Sequence, residues 1–293
     1  MRIAVVGLGV MGLPMSLNLV RAGFEVTGFT RTAERGRPLA DAGGTLAPSL
    51  AEALDGAEAV VTMLPDTPDV QAVYETVFPA VAPGTLLLEM STIQPGAAAA
   101  LHERAAEAEL AMLDAPVSGG EAGAKDGSLS IMCGGAPETL ERARPVLEAV
   151  GKTIVLVGGP GSGQTVKAAN QLLVAGTLQL VSEALVFLDV HDVDLAPALD
   201  VLGGGLAGST VLSRKGKAML DGNFAPGFRV DLHHKDLRIY GAAAQEHDVF
   251  SPAGALVAQL MAALRAAGHG DSDHSALLKQ VAALSGHDRW SDR

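Results

Sequence analysis

Short apolar runs alternate with amphipathic stretches through the first half of the chain. Residues 2–6, 25–29, 59–63, 85–89, 111–115 and 130–134 are rich in Val, Ile, Leu or Met and predict strands. Between them the spacing of apolar positions predicts helices, among them 12–22, 50–54, 67–78 and 96–108. Apolar strands that alternate with helices imply a parallel, doubly wound sheet covered on both faces, and a further strand at 153–157 is expected to complete it. The pattern then changes. After the glycine-rich break at 158–163 no strand-like run returns, and residues 164 to about 189 are apolar almost all round, as in a helix buried against other helices. Further helices are expected at 195–202, 213–220, 233–247 and 252–267.

The chain has 293 residues, 48% hydrophobic and 18% charged, which is ample material for two modest cores and excludes a wholly disordered chain. Lys and Arg number 21 against 33 Asp and Glu, a formal net charge of −12. That balance argues against nucleic acid as a partner, because phosphate backbones are held by clustered Lys and Arg. Cys133 is the sole cysteine, so neither a disulfide framework nor a cysteine-based metal cluster is available. The apolar run after Met1-Arg2 is too short for a signal sequence, and the apolar window 172–188 is interrupted by Gln179, Ser182 and Glu183. A soluble, cytoplasmic protein with no membrane span is expected.

Gly7-Leu8-Gly9-Val10-Met11-Gly12 follows the first strand and opens a helix. There Gly7 allows the tight turn, Gly9 lets the backbone approach a pyrophosphate, and Gly12 permits close helix–strand packing, with the helix N-terminus facing the phosphates. This is the dinucleotide-binding form of the βα turn. The fold class is thus an N-terminal Rossmann-type α/β domain over 1–162, followed by an all-α C-terminal domain over 163–293 that opens with a long interdomain helix. Dinucleotides lacking a 2′-phosphate usually meet Asp or Glu at the end of the second strand, but here the strand ends in Thr30-Arg31-Thr32. A guanidinium in place of the carboxylate favours NADP, with NAD as the alternative; a solvated surface arginine is the plainer reading of Arg31.

Lys167 lies in an otherwise uncharged helix start, 164–170. A lysine held away from water is costly unless it is paired or functional, and its pKa then falls toward the range of proton transfer. Asn170 and Gln171 follow at i+3 and i+4 and can share its face; alternatively Lys167 snorkels to solvent. Ser118-Gly119-Gly120 ends a strand at the carboxyl edge of the sheet, where approachable N–H groups and a hydroxyl suit a carboxylate, or form a plain glycine turn.

These segments resemble the β-hydroxyacid dehydrogenases. The likeness is carried by 7–15 with Asn18-Leu19, by Met63-Leu64-Pro65-Asp66, Ser91-Thr92 and 114–120, then by 161–164 with Lys167, Asn170 and Gln171, and by Phe228 with Lys235-Asp236. The resemblance implies hydride transfer between a nicotinamide cofactor and a small β-hydroxy acid or its semialdehyde. It also implies Lys167 as general acid/base with Asn170 and Gln171 beside it. Ser118, Gly119, Gly120, Phe228 and Asp236 are implied to hold the substrate. Gly7, Leu8, Gly9, Val10, Met11, Gly12, Met63, Leu64, Pro65, Thr92 and Lys235 are implied to hold the cofactor, beside Thr30, Arg31 and Thr32 read from the end of the second strand. An imine reductase on the same scaffold and a non-catalytic relative are the rival readings; the lysine counts against the first, and the acidic charge without extra domains against the second. Departures from the family pattern are Glu89 where Asp is frequent, Gln171 where some members have Asn, and His233-His234 where many are apolar. No third ligand sits at metal spacing, so no metal is expected and His233 and His234 are read as surface or helix-packing residues. The long apolar helix needs burial on every side, which leads to an expected homodimer or homotetramer.

Overall fold

A computed structural model of the chain describes residues 1–287 and 289–290; residues 288 and 291–293, the tail of the expected helical domain, lie outside the described residues. The chain separates into two units, Met1–Lys167 and a second from Ala168 onward, so the division falls inside the long helix Ser162–Asp189.

The first unit holds one sheet. Its strands are β1 (Arg2–Val6), β2 (Glu25–Phe29), β3 (Thr45–Leu46), β4 (Ala59–Thr62), β5 (Leu86–Glu89), β6 (Ala111–Asp114), β7 (Val117–Ser118), β8 (Leu129–Gly135) and β9 (Gly151–Gly158). They lie in the order β3-β2-β1-β4-β5-β6-β8-β7, with β9 also paired to β8. β1 to β6 run parallel to one another, as the alternation of strands and helices requires. The expectation of an all-parallel sheet fails at β8, which runs antiparallel to β6 and β7 and is followed by β9 in its own direction. Only residues 119–128, including the short helix Gly120–Asp126, separate β7 from β8. That is too little chain for the crossover a parallel neighbour needs, so the chain turns back.

Alternation along the strands sorts side chains onto two faces. Ile3, Val5, Val61, Leu86, Leu88 and Leu113 enter one core. Ala4, Val6, Val60, Leu87 and Met112 enter the other. Both faces are therefore apolar, and helices cover each. The strand order reverses at β1, flanked by β2 and β4, so the carboxyl ends of β1 and β4 border the crevice where open α/β sheets bind ligands.

The second unit is built of helices. After Ser162–Asp189 come Leu195–Gly204, Thr210–Leu220, Val230–Glu246, Pro252–Leu264 and Leu277–Leu284. The helix expected over 252–267 stops at Leu264 and passes into a π turn in which Gly268 takes φ 94. Leu277–Leu284, only 8 residues, was too short to stand out as a periodic pattern. The 28-residue helix is long and apolar enough to cross a membrane by length and composition alone. Its Ala175, Leu178, Ser182 and Leu185 are nonetheless buried at i, i+3, i+4 spacing, the first, second and fourth in a core shared with Leu237, Met261 and Leu277. Burial on every side is not what the chain alone achieves: Leu173, Leu180 and Phe187, seven residues apart, remain 68%, 67% and 61% exposed.

A buried polar chain stiffens the carboxyl edge of the sheet. Glu89 ends β5 fully buried, in register with Thr62 on β4 and Asp114 on β6. The Thr62 hydroxyl and the Ser91 N–H (2.6 Å) donate to its carboxylate. The Ser91 hydroxyl in turn accepts the Leu64 N–H at 2.8 Å, which ties the loop after β4 to the loop after β5. Burial raises the pKa of Glu89 from 4.5 to about 7, the hydrogen bonds from Ser91 and Thr62 oppose that rise, and the nearby charge of Asp114 adds to it. The folded chain holds this proton more tightly than the unfolded chain. The corresponding stability is thus complete below the unfolded value and lost as pH climbs through about 7. Urea titrations should show unfolding free energy declining from about pH 5 to about pH 8, by roughly 3 kcal/mol at most, with the decline flattened in Glu89→Gln. A variant whose stability falls in step with the wild type removes Glu89 as the source.

Candidate active site

The loop after β1 is shaped by the crowding of its glycines. Gly7 takes φ +104, and a Cβ there would lie 2.2 Å from the Met63 carbonyl oxygen. A Cβ on Gly12 would lie 1.9 Å from the Gly7 oxygen, whereas one on Gly9 would meet nothing within 4 Å. Gly7 and Gly12 therefore close the turn on itself and against Met63, while Gly9 leaves an open approach for a ligand. The helix Gly12–Arg21 has no side-chain cap and no acidic residue in its first turn. The Leu13 and Met15 N–H groups there already donate to the Gly9 and Met11 oxygens and Pro14 has none, so the helix dipole and the main chain of the loop before it are what this end offers an anion. Val10 is 64% exposed above this turn; Leu8 is 1% exposed, so its side chain serves the core and only its main chain is left for a ligand. The residues present fit the phosphates of a dinucleotide.

A pocket of about 420 Å³ opens at the end of β2, lined by Phe29, Thr30, Arg31, Leu46, Ala47 and Pro48 among others. The Arg31 side chain is 80% exposed and lies 3.6 Å from Asp69, while Thr32 is exposed beside it. An ion pair so exposed is weak and leaves the guanidinium able to turn to a phosphate. Met63 and Leu64 follow β4 half-buried and Pro65 is exposed, while Thr92 is half-buried after Ser91.

Lys167 is 6% exposed, which removes the snorkelling alternative. Its Nζ donates to the main-chain oxygen of Val117 at 2.8 Å, one residue before Ser118. The structure thus brings the lysine and the Ser118-Gly119-Gly120 turn together. β7 runs in the direction of β1 to β6, since it is antiparallel to the reversed β8, so this turn lies at the same carboxyl edge as the glycine loop. Gly119 (φ +139) and Gly120 (φ +65) turn the chain there; a Cβ on Gly120 would meet nothing within 4 Å. A carboxylate could approach the backbone at that point.

What places the lysine is a residue named in the sequence only as part of a motif. Asp114, fully buried at the end of β6, accepts the N–H groups of Gly161 (2.9 Å) and Gln164 (3.0 Å). It is also paired with His102 Nε2 at 3.0 Å. The Gln164 side chain donates to the Ser91 oxygen at 2.8 Å and accepts the Ile93 N–H at 3.1 Å, flanking Thr92. One helix start is therefore bound both to the sheet and to the loop after β5. Gly163 permits the close approach, since a Cβ there would lie 2.3 Å from the Met132 oxygen. The spacing of Asp114 from Gly161 carries no local signal, because the contact spans 47 residues. Cys133 is buried, and burial with the nearby charge of Asp114 pushes its thiol up to about 12, which leaves it inert.

In the second unit Gln171 is 4% exposed, and its Nε2 donates to Asp236 Oδ2 at 2.6 Å. Asp236 Oδ1 lies 2.9 Å from Lys235 Nζ. Asp236, expected at the substrate, is 2% exposed and orients the amide of Gln171. Asn170 is half-buried, and its Oδ1 is a buried acceptor without a hydrogen bond. His233, expected at the surface or in helix packing, is fully buried and donates from Nε2 to the Gln171 main-chain oxygen at 3.1 Å; His234 is half-buried. Phe228, half-buried, packs edge-on against His233 and His274 with ring centroids 5.5 and 5.4 Å apart.

Residues 2–159 match the NAD-binding domain of 6-phosphogluconate dehydrogenase, and residues 161–281 match the NAD-binding domain of NADP-dependent 3-hydroxyisobutyrate dehydrogenase. The chain is 37% identical to the 2-hydroxy-3-oxopropionate reductase of Escherichia coli over 292 residues, covering 98% of this chain and 99% of that one. It is 36% identical to the NAD-dependent L-serine dehydrogenase of Pseudomonas aeruginosa, over 95% and 97% of the two chains. Among solved structures, the 3-hydroxyisobutyrate dehydrogenase of Mycobacterium tuberculosis with L-serine superposes with a TM-score of 0.89 at 34% identity, over 96% of this chain and 98% of that one. The imine reductase of Streptomyces aurantiacus, at 24% identity and a TM-score of 0.65, shares the fold alone. Two domain matches that together span the nucleotide loop and the lysine helix, with full-length relatives above 30% identity, show that this chain is an oxidoreductase of the β-hydroxyacid dehydrogenase family.

Proposed function

We propose that the protein catalyses reversible hydride transfer between NADP(H) and a small β-hydroxy acid or its semialdehyde, with Lys167 as general acid/base. The observation that carries this reading is the buried Lys167 ammonium hydrogen-bonded to Val117, immediately beside the Ser118–Gly120 turn. The relatives act on small hydroxy acids or their oxo forms by name, which supports the substrate class. When bound, the nicotinamide supplies or takes up the hydride. Gly7, Gly9 and Gly12 with Val10 and Met11 would hold its phosphates; Met63, Leu64, Pro65, Thr92 and Lys235 are the further contacts assigned to it. Ser118, Gly119 and Gly120 grip the substrate carboxylate and fix the reacting carbon, a positioning effect, and Phe228 covers it. On reduction Lys167 gives a proton to the substrate oxygen; on oxidation its neutral form removes the hydroxyl proton. Nε2 of Gln171 gives one of its two hydrogens to Asp236, which orients the amide, and Gln171, with Asn170 behind it, hydrogen-bonds the reacting oxygen or orients the lysine.

Lys167→Ala should lower kcat by about 10²–10⁴-fold while the cofactor Kd, read by fluorescence titration, stays within a few-fold. Turnover that survives within a few-fold of wild type would falsify the role.

NADP preference rests on Arg31 at the pocket beyond β2 and on the lack of an acid at the end of that strand. The ratio of kcat/KM for NADPH over NADH should exceed one and drop by roughly 10–100-fold in Arg31→Ala, the loss of a charge-assisted phosphate contact. A higher kcat/KM with NADH in the wild type sinks the preference.

The exposed Leu173, Leu180 and Phe187 stripe supports a homodimer or homotetramer joined through this helix. Light scattering should give an oligomer that Leu180→Glu shifts toward monomer, and a monomeric wild type at micromolar concentration would refute the assembly.

A further inference from the structure

The second unit contains a buried charged cluster to which the reaction assigns no part. Asp273, 2% exposed, precedes the 3-10 turn His274–Ala276. Lys215 Nζ reaches both of its oxygens, at 2.9 and 2.7 Å. The N–H groups of Gly227 (2.9 Å) and Phe228 (3.0 Å) donate to Oδ2, and the Ser275 hydroxyl and N–H donate to Oδ1. The Phe228 oxygen accepts the His274 N–H at 2.9 Å. The loop 223–229 is thus sewn at Gly227 and Phe228 to one carboxylate, by charge-assisted bonds to its main chain.

The imidazoles continue the cluster. The Gln171 oxygen can only accept, so Nε2 of His233 carries a hydrogen. His233 Nδ1 lies 2.9 Å from His274 Nδ1. With His233 neutral, its Nδ1 is an acceptor, and His274 must donate from Nδ1. His274 Nε2 then faces Asp273 Oδ1 at 3.9 Å. Hydrogen bonds therefore run from His274 through His233 to the main chain of Gln171, and the Phe228 ring rests edge-on against both imidazoles.

We infer that Asp273 and the His233–His274 pair position Phe228 and Gln171 for the substrate. The inference rests on the assignment of those two residues to the substrate above. A buried ion pair is a poor source of stability compared with apolar packing. A turn alone needs no carboxylate neutralised by a lysine, and what this one adds is a fixed loop conformation at Phe228. Neither histidine touches the reacting atoms; both act through the residues they hold.

The test is a pair of double-mutant cycles on the full-length holoenzyme. Asp273→Asn, His233→Leu and Phe228→Ala, singly and combined, are assayed with NADPH or NADH against 2-hydroxy-3-oxopropionate, and with the oxidised cofactors against 3-hydroxyisobutyrate and L-serine. The active pair is then carried through both cycles. Asp273→Asn and His233→Leu are each expected to lower kcat/KM about tenfold or more, with cofactor Kd unchanged. Each double variant with Phe228→Ala should fall within about twofold of its worse parent, since both changes disable one unit. Hydrogen exchange at the Gly227 and Phe228 amides should quicken in Asp273→Asn. Should Asp273→Asn fail to fold, the His233→Leu cycle decides. Strictly multiplicative losses overturn the positioning role and leave the substrate assignment standing. An unchanged kcat/KM in Phe228→Ala overturns the assignment of Phe228 to the substrate, and the inference with it.

Discussion

The carboxylate of Asp114 is the contact on which the first unit's chemistry depends. It sits fully buried at the end of β6 and receives the backbone N–H groups of Gly161 and Gln164, which no helix bond can satisfy. A negative charge at a helix N-terminus is favoured by the helix dipole and by direct hydrogen bonds, and burial strengthens both by keeping water away. That anchor determines where the helix leaves the sheet, and with it where Lys167 stands five residues past Ser162. The lysine then has a carbonyl within reach at Val117, on the short strand that continues from β6. One stretch of chain, 114–120, thus seats Lys167 and supplies the Ser118–Gly120 turn beside it.

The cofactor side obeys a different constraint, that of volume. Gly7, Gly12 and Gly163 stand where a methyl group would overlap main-chain oxygen, whereas Gly9 and Gly120 stand where it would overlap nothing in the protein. The first kind of glycine is required by the fold itself. The second kind leaves backbone open toward a ligand. Both sets lie on the carboxyl edge of a sheet whose two faces are sealed by apolar cores, so ligand chemistry is confined to that edge. Glu89 joins the two sets: through Ser91 it holds the loop after β4, and its register neighbour on β6 is Asp114.

Much of this was legible before any coordinates. Short apolar runs located seven of the nine strands, and the long helix was readable from its composition. Lys167 stood out because a lone cation in an apolar helix start is expensive. Other features were not legible for physical reasons. β3 and β7 have only two residues each, too few for a periodicity. The reversal at β8 depends on the length of the connection from β7, which pattern alone does not weigh. His233 looked like a surface or packing residue because a helical pattern does not say which polar position faces inward. It is buried, and its partners Gln171 and His274 lie 62 and 41 residues away.

Local chemistry along the chain was sufficient for the layer architecture, the nucleotide loop, the candidate base and the family, since each is written in neighbouring residues whose spacing matches a strand, a turn or a helix face. Tertiary structure alone decided that Asp114 caps the lysine helix, that Asp236 turns the Gln171 amide, and that Asp273 clamps the Phe228 loop. Those contacts join residues tens of positions apart, and a buried hydrogen bond between distant groups leaves no period in the sequence, because it is specified by packing and not by local propensity.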